Sequence, residues 1–318
     1  MKTINKIILI ATLAILTYSC EDIFEQDISN DTIQIISPSK EAKIESNVVK
    51  FKWNTTKAAD KYRIQIFESD QILLLDSLTT KTSITLPLKA GNYIWRVRGE
   101  NYGYQSIYSF PSYFSTTIPN DLTDQQVILL NPQNNKFVNT INVSLNWESM
   151  DKATSYSVKV INTLTSQEMH SKDAVTETSV TLNVLNLVDA NYQWRVKAKN
   201  TNSETKQYSA RNFSIDTTIP NQPKNISPVT NSTYTSNSNI NFIWNIATDT
   251  GNIKSPISYV VEFSNDIDFA TVIRTQNSIS TTLQQTFSTI GVYYWRVKAI
   301  DEAGNIGTNS TGFKLTIN

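Results

Sequence analysis

The chain has 318 residues, enough for two or three domains of ordinary size. It holds 28 Lys and Arg against 28 Asp and Glu, so it lacks the basic excess with which nucleic-acid binders neutralise phosphates. One Cys, one His and eight Gly argue against a disulfide framework, a zinc site, a Cys–His or Ser–His–Asp centre and a glycine-rich phosphate loop, and no cofactor is expected.

Residues 1–6 are short and basic, and residues 7–16 (IILIATLAIL) form an apolar run. Ten helical residues reach about 15 Å, half of a bilayer's hydrocarbon core, so the run reads as the centre of a signal peptide over 1–19 and not as a membrane span. Its removal takes away Lys2 and Lys6 and leaves a net charge of −2. Thr17-Tyr18-Ser19-Cys20 then resembles a lipobox, although Leu16 sits one place early and Tyr18 is bulky. The resemblance implies that Cys20 is acylated and becomes the first residue, which makes membrane attachment a property of the lipid. Glu21, Asp22, Glu25 and Asp27 follow, similar to the acidic export signal of Bacteroidota lipoproteins. That likeness implies a lipid-anchored outer-membrane protein displayed at the cell surface, with 20–30 as an acidic tether.

From residue 31 the chain repeats itself. A Pro leads each copy (Pro38, Pro132, Pro228), and a Trp follows 15 or 16 residues later (Trp53, Trp147, Trp244). Next come Tyr62-Ile64-Ile66, Tyr156-Val158-Val160 and Tyr259-Val261-Phe263, each apolar at every second position. A Y-x-W-R-V phrase recurs at 93–97, 192–196 and 293–297, and a closing Phe at Phe114, Phe213 and Phe313. Period-two alternation means half-buried strands, turn residues such as Ala90-Gly91-Asn92 separate them, and no segment sustains a helical period. The expected class is all-β, three tandem antiparallel sandwiches.

The Trp on the second strand, the Tyr on the third and the Y-x-x-R-V phrase on the sixth resemble the fibronectin type III fold, and Y-x-W-R-V resembles its bacterial surface versions. The resemblance covers 31–318. It implies immunoglobulin-like sandwiches at 31–117, 118–218 and 219–318, with Tyr93, Tyr192 and Tyr293 as tyrosine corners. The joints Thr116-Thr117-Ile118-Pro119 and Thr217-Thr218-Ile219-Pro220 are short and stiffened by proline. Three modules placed end to end would reach about 100 Å, as a spacer would. Modules and tether together use every residue after the signal segment, which leaves no room for a catalytic domain, and no catalytic residue is expected.

The two Trp columns place all six indoles in cores, so none is left as a platform for stacking sugars. Tyr102, Tyr104, Phe110 and Tyr113 crowd 101–114, where the other two modules are polar. Loops at sandwich ends carry binding function, and Tyr offers contact area at low entropic cost, so these four are the candidate ligand contacts. Inward packing of alternate aromatics is the competing reading.

Asp301-Glu302-Ala303-Gly304-Asn305 offers oxygens for calcium but matches no EF-hand spacing. It reads as an Asx-type turn, and no metal site is expected. His170 reads as an exposed loop residue. Arg96, Arg195 and Arg296 recur on one outward face, where cross-strand partners such as Glu262 explain them better than a polyanion does. Asp31-Thr32-Ile33, Asp76-Ser77-Leu78 and Asp216-Thr217-Thr218 resemble the Asp-Ser/Thr acceptors of Bacteroidota O-glycosylation. The expected function is non-catalytic binding, adhesion or spacing at the cell envelope, with a protein or glycan partner and no nucleic acid. A glycan-binding accessory lipoprotein of a polysaccharide-uptake system is the alternative. Nothing in the sequence indicates an oligomer.

Overall fold

The computed structural model describes residues 25–182 and 187–318. Cys20 and the signal segment lie outside the described residues. The chain divides into two compact units, Met1–Pro119 and Asn120–Asn318, and each is described by itself.

The first unit holds one sandwich of eight strands: β1 (Ile35–Ser37), β2 (Ala42–Ile44), β3 (Val48–Trp53), β4 (Lys61–Glu68), β5 (Leu73–Thr79), β6 (Ser83–Pro87), β7 (Gly91–Glu100) and β8 (Ser112–Thr116). One sheet runs β1-β3-β6 and the other β2-β8-β7-β4-β5. The second unit holds two sandwiches of the same plan. The earlier comprises β9 (Leu129–Asn131), β10 (Lys136–Val138), β11 (Val143–Trp147), β12 (Ser155–Asn162), β13 (Glu168–Val175), β14 (Ser179–Leu182), β15 (Ala190–Lys199) and β16 (Ser209–Ile215). The later comprises β17 (Asn225–Ser227), β18 (Ser232–Tyr234), β19 (Ile240–Trp244), β20 (Ile257–Ser264), β21 (Val272–Ser278), β22 (Thr282–Gln285), β23 (Gly291–Asp301) and β24 (Phe313–Ile317). Among the described residues no helix is long and apolar enough to cross a membrane.

The tryptophan expected on the second strand lies on the third (β3, β11, β19), because the first strand is broken in two. Pro38, Pro132 and Pro228, each after a cis peptide bond, stand at the break. Proline has no N–H for a ladder, so the pairing of β1 with β3 stops there. The chain then crosses to the other sheet, where β2 pairs in parallel with β8, β10 with β16 and β18 with β24.

Alternation builds the core. Tyr93, Trp95 and Val97 on β7 point inward while Ile94, Arg96 and Arg98 lie half-buried on the other face. All six indoles are buried. The Trp on the three-stranded sheet meets the Tyr of the facing strand edge-to-face in each sandwich: Trp53–Tyr62 at 5.8 Å, Trp147–Tyr156 at 5.4 Å and Trp244–Tyr259 at 5.4 Å between ring centroids. Such pairs add to the area buried. The tyrosine corners form as expected: Tyr93, Tyr192 and Tyr293 donate their hydroxyls to the carbonyls of Lys89, Val188 and Thr289, each at 2.9 Å.

Further expectations are corrected. Phe114 and Phe213 stand opposite Tyr93 and Tyr192, but Phe313 lies opposite Trp295, and Leu315 takes the place facing Tyr293. Two aromatics two residues apart in register cannot be told from one shared column by spacing alone. His170 is a half-buried residue of β13 facing Val160, with a buried Nε2 that has no hydrogen-bond partner; burial lowers its basicity. Its polar neighbours hid the strand period. Within the stretch expected as an acidic tether, residues 25–30 are held at two points: Ile28 is fully buried and the Gln26 carbonyl accepts a hydrogen bond from Asn101 Nδ2 at 2.9 Å, while Gln26, Asp27, Ser29 and Asn30 are exposed.

Candidate functional site

The four aromatic candidates of the first sandwich occupy the connection from β7 to β8 and the start of β8. Asn101 sets the tip. Its Oδ1 accepts the N–H groups of Gly103 and Tyr104 at 3.2 and 2.8 Å, and its own N–H donates to the Tyr104 carbonyl, which closes a tight turn. The segment then returns beside β7 on two buried serines. Gly99 N–H donates to Ser106 Oγ and Val97 N–H to Ser109 Oγ. These bonds fix the backbone while leaving the rings outside.

Tyr102 is 95% exposed, Phe110 92%, Tyr113 50% and Tyr104 38%. Of the aromatics in 101–114 only Phe114 is buried, so inward packing does not account for the four candidates. The four do not form one patch. Tyr113 faces Ile94 across the ladder, six residues along β7 from Glu100, so about 20 Å of strand separates it from the tip. Tyr102 and Tyr104 form one candidate contact at the end of the sandwich. Tyr113 instead lines a surface cleft of about 380 Å³ with Glu41, Lys43, Ser69 and Asn92.

The arginine column is occupied by partners, as the sequence suggested. Arg296 pairs with Glu262 at 2.7 Å, Lys298 pairs with the same carboxylate at 2.9 Å, and Arg195 donates to Gln193. Arg96 donates twice to Gln65 and lies 4.2 Å over the Tyr108 ring. Arg63 bridges Asp76 and Glu100, and Arg98 joins Glu100. Burial alone would raise Glu100 and Glu262, but the cations around them hold both carboxyls below the ordinary range. Cations spent in this way are poorly placed to recruit a polyanion.

A surface that sequence reasoning missed lies on β5, which among the described strands is an edge strand paired with β4. Leu73, Leu74 and Leu78 are exposed along it, and Ile72 is exposed just before it. The signal was an apolar run without alternation, which a half-buried strand does not need. Unpaired backbone groups beside exposed leucines make this edge able to receive another strand.

The three sheet pairs thus define the chain as an array of fibronectin type III-like sandwiches. No family model and no curated protein matches it. Among solved structures it is similar to the FN1-FN3 domains of chicken CNTN1, at 17% identity over 90% of this chain and 97% of that one, with a TM-score of 0.42. It is similar to fibronectin(III)-like modules of Clostridium thermocellum CbhA at 14% identity, 60% and 93% coverage and a TM-score of 0.38. It is also similar to a crystal structure of domains A168-A170 from titin at 13% identity, 90% and 97% coverage and a TM-score of 0.37.

Proposed function

We propose that the chain is a non-catalytic lipoprotein of the cell envelope, held in the outer membrane by an acylated Cys20 and binding a protein partner through its first sandwich. The observation that carries the binding role is the Tyr102–Tyr104 tip, an aromatic turn held rigid by Asn101 and open to solvent. A pinned aromatic loses little entropy on contact. The exposed leucines of β5 favour a protein over a glycan, since an open strand edge offers main-chain pairing that a sugar cannot use. A glycan partner is the second reading, supported by the open face of the Tyr102 ring.

An array of extracellular-matrix proteins and purified glycans, probed with the wild-type chain and with Tyr102→Ala/Tyr104→Ala, tests this. Capture of the wild type on protein spots, lost in the double variant at unchanged melting temperature, is expected. Equal capture of both chains removes the tip from the function, and capture on glycan spots alone replaces the first reading by the second. Cys20→Ala is expected to leave the membrane fraction, and unchanged fractionation ends the lipoprotein assignment.

A further inference from the structure

The third sandwich departs from the other two at the end that meets the second. In every sandwich an Asx residue just past Trp95, Trp194 or Trp295 closes a turn. Asn200 Oδ1 accepts the N–H groups of Asn202 and Ser203 at 2.9 and 2.8 Å, as Asn101 does in the first. Asp301 Oδ1 likewise accepts those of Gly304 and Asn305 at 2.9 and 2.8 Å. The Asx-type turn expected at 301–305 is therefore present.

The amide nitrogen of that residue has a second task. Asn101 Nδ2 donates to the Gln26 carbonyl at 2.9 Å and Asn200 Nδ2 to the Asn120 carbonyl at 2.8 Å. Gln26, Asn120 and Asp216 each stand twelve residues before the leading proline. A carboxylate at 301 cannot donate, and the third sandwich keeps the tie with a different donor, Asn305 Nδ2 to the Asp216 carbonyl at 2.7 Å. The tie survives, and an acid has been gained at 301. A second acid stands at 216, where the other modules have Gln and Asn. A third, Asp249, lies in a connection from Trp244 to Tyr259 that is six residues longer than its counterparts after Trp53 and Trp147.

These three departures converge. One carboxylate oxygen from each of Asp216, Asp249 and Asp301 lies within 4.8 Å of the others. The residues are 0%, 7% and 4% exposed. Their remaining contacts are to neutral donors: Ser255 N–H and Oγ to Asp216 Oδ2 at 3.0 and 2.6 Å, Thr218 N–H to Asp216 Oδ1 at 3.2 Å, Gly251 N–H to Asp249 Oδ1 at 2.7 Å, and Asn305 Nδ2 to Asp301 Oδ2 at 2.8 Å. Asp249 Oδ2 is buried with no hydrogen-bond partner. Among the described residues no Lys, Arg or His forms an ion pair with any of the three.

Three desolvated carboxylates this close repel one another, and neutral donors do not cancel the charge. A cation among them does. The donors are all hard oxygens, with neither imidazole nor thiolate, which selects a calcium- or magnesium-like ion over zinc. Calcium accepts several protein oxygens at about 2.4 Å in irregular geometry, whereas magnesium demands a near-ideal octahedron and dehydrates reluctantly, so an all-protein set of carboxylates favours calcium. We propose that Asp216, Asp249 and Asp301 bind one calcium ion at the joint between the second and third sandwiches. Asp216 follows β16, and the other two belong to the third sandwich, so the ion ties the two together.

Isothermal titration of the full chain, stripped with EDTA, with calcium chloride tests this. One calcium per chain and a melting temperature several degrees higher with calcium are expected. Asp249→Asn should weaken binding at least tenfold and, with one charge gone, melt no lower than wild type in EDTA. Asp301→Asn, which restores the residue type found at 101 and 200, is the second variant and should weaken binding similarly. Absence of both heat and thermal shift in the wild type, undiminished affinity in both variants, or preference for magnesium overturns the assignment.

Discussion

Replacing Trp147 by Ala removes the largest side chain of the second sandwich's three-stranded sheet. The residue is 2% exposed, and its ring meets Tyr156 at 5.4 Å and 64°. A buried Trp removes about 150–250 Å² from water, which at about 25 cal/mol/Å² sets an upper bound of roughly 4–6 kcal/mol. Loss of the edge-to-face pair adds about 0.5–1.5 kcal/mol. In the other direction, Trp147 Nε1 is buried without a partner, and deleting that group returns about 1–3 kcal/mol of desolvation cost. The net loss expected is about 3–5 kcal/mol, the usual range for Trp→Ala in a core. Trp147→Phe keeps most of the ring and discards the orphan N–H, so it should cost less than half as much. Urea unfolding followed by near-ultraviolet circular dichroism measures both. At a slope of about 2 kcal/mol per molar, the Ala variant should lower the midpoint of the second sandwich by about 2 M. A wild-type midpoint for Trp147→Ala, or equal losses in the two variants, would refute the reasoning.

Tyr192→Phe removes a hydroxyl that donates to the Val188 carbonyl and accepts the Val188 N–H at 3.1 Å; it should cost about 1–2 kcal/mol by denaturation, with no change in secondary structure. Acid should loosen the first and third sandwiches. Glu100 and Glu262 are held below the range of an unfolded glutamate, so they stabilise the fold above about pH 4.3. That stability is lost as pH falls through their folded values. Melting temperatures that fall below about pH 4, and fall less in Glu262→Gln, are the expected result; a flat profile contradicts it.

Sequence spacing reports structure where one residue type repeats at one structural place. Trp, Tyr and Y-x-W-R-V recur because the inward face of a strand admits little else, so their spacing carried the strands and the tyrosine corners. It failed where position depends on pairing. The split first strand depends on a proline ending one ladder and the chain joining another. Phe313 depends on the register of β24, and Ile28 on a segment that docks before the repeat begins. The candidate tip was legible as a cluster of aromatics, but the roughly 20 Å of strand between Tyr113 and the tip was not, because proximity in sequence along a returning strand is distance in space. Asp216, Asp249 and Asp301 lie far apart in sequence and form no local metal-binding motif, although Asp301 was legible as the head of an Asx-type turn. Only comparison of the repeats, position by position, shows acids at 216 and 301 where Gln26, Asn120, Asn101 and Asn200 stand in the other repeats, with Asp249 in an added stretch.

Three sandwiches each close over two indoles. Iodide and acrylamide quenching of the intrinsic tryptophan fluorescence tests this most directly. Six buried rings predict blue-shifted emission, almost no quenching by iodide and weak quenching by acrylamide until denaturant is added. Iodide reaching two or more of the six in the native chain would contradict both the cores and the claim that binding is left to the loops.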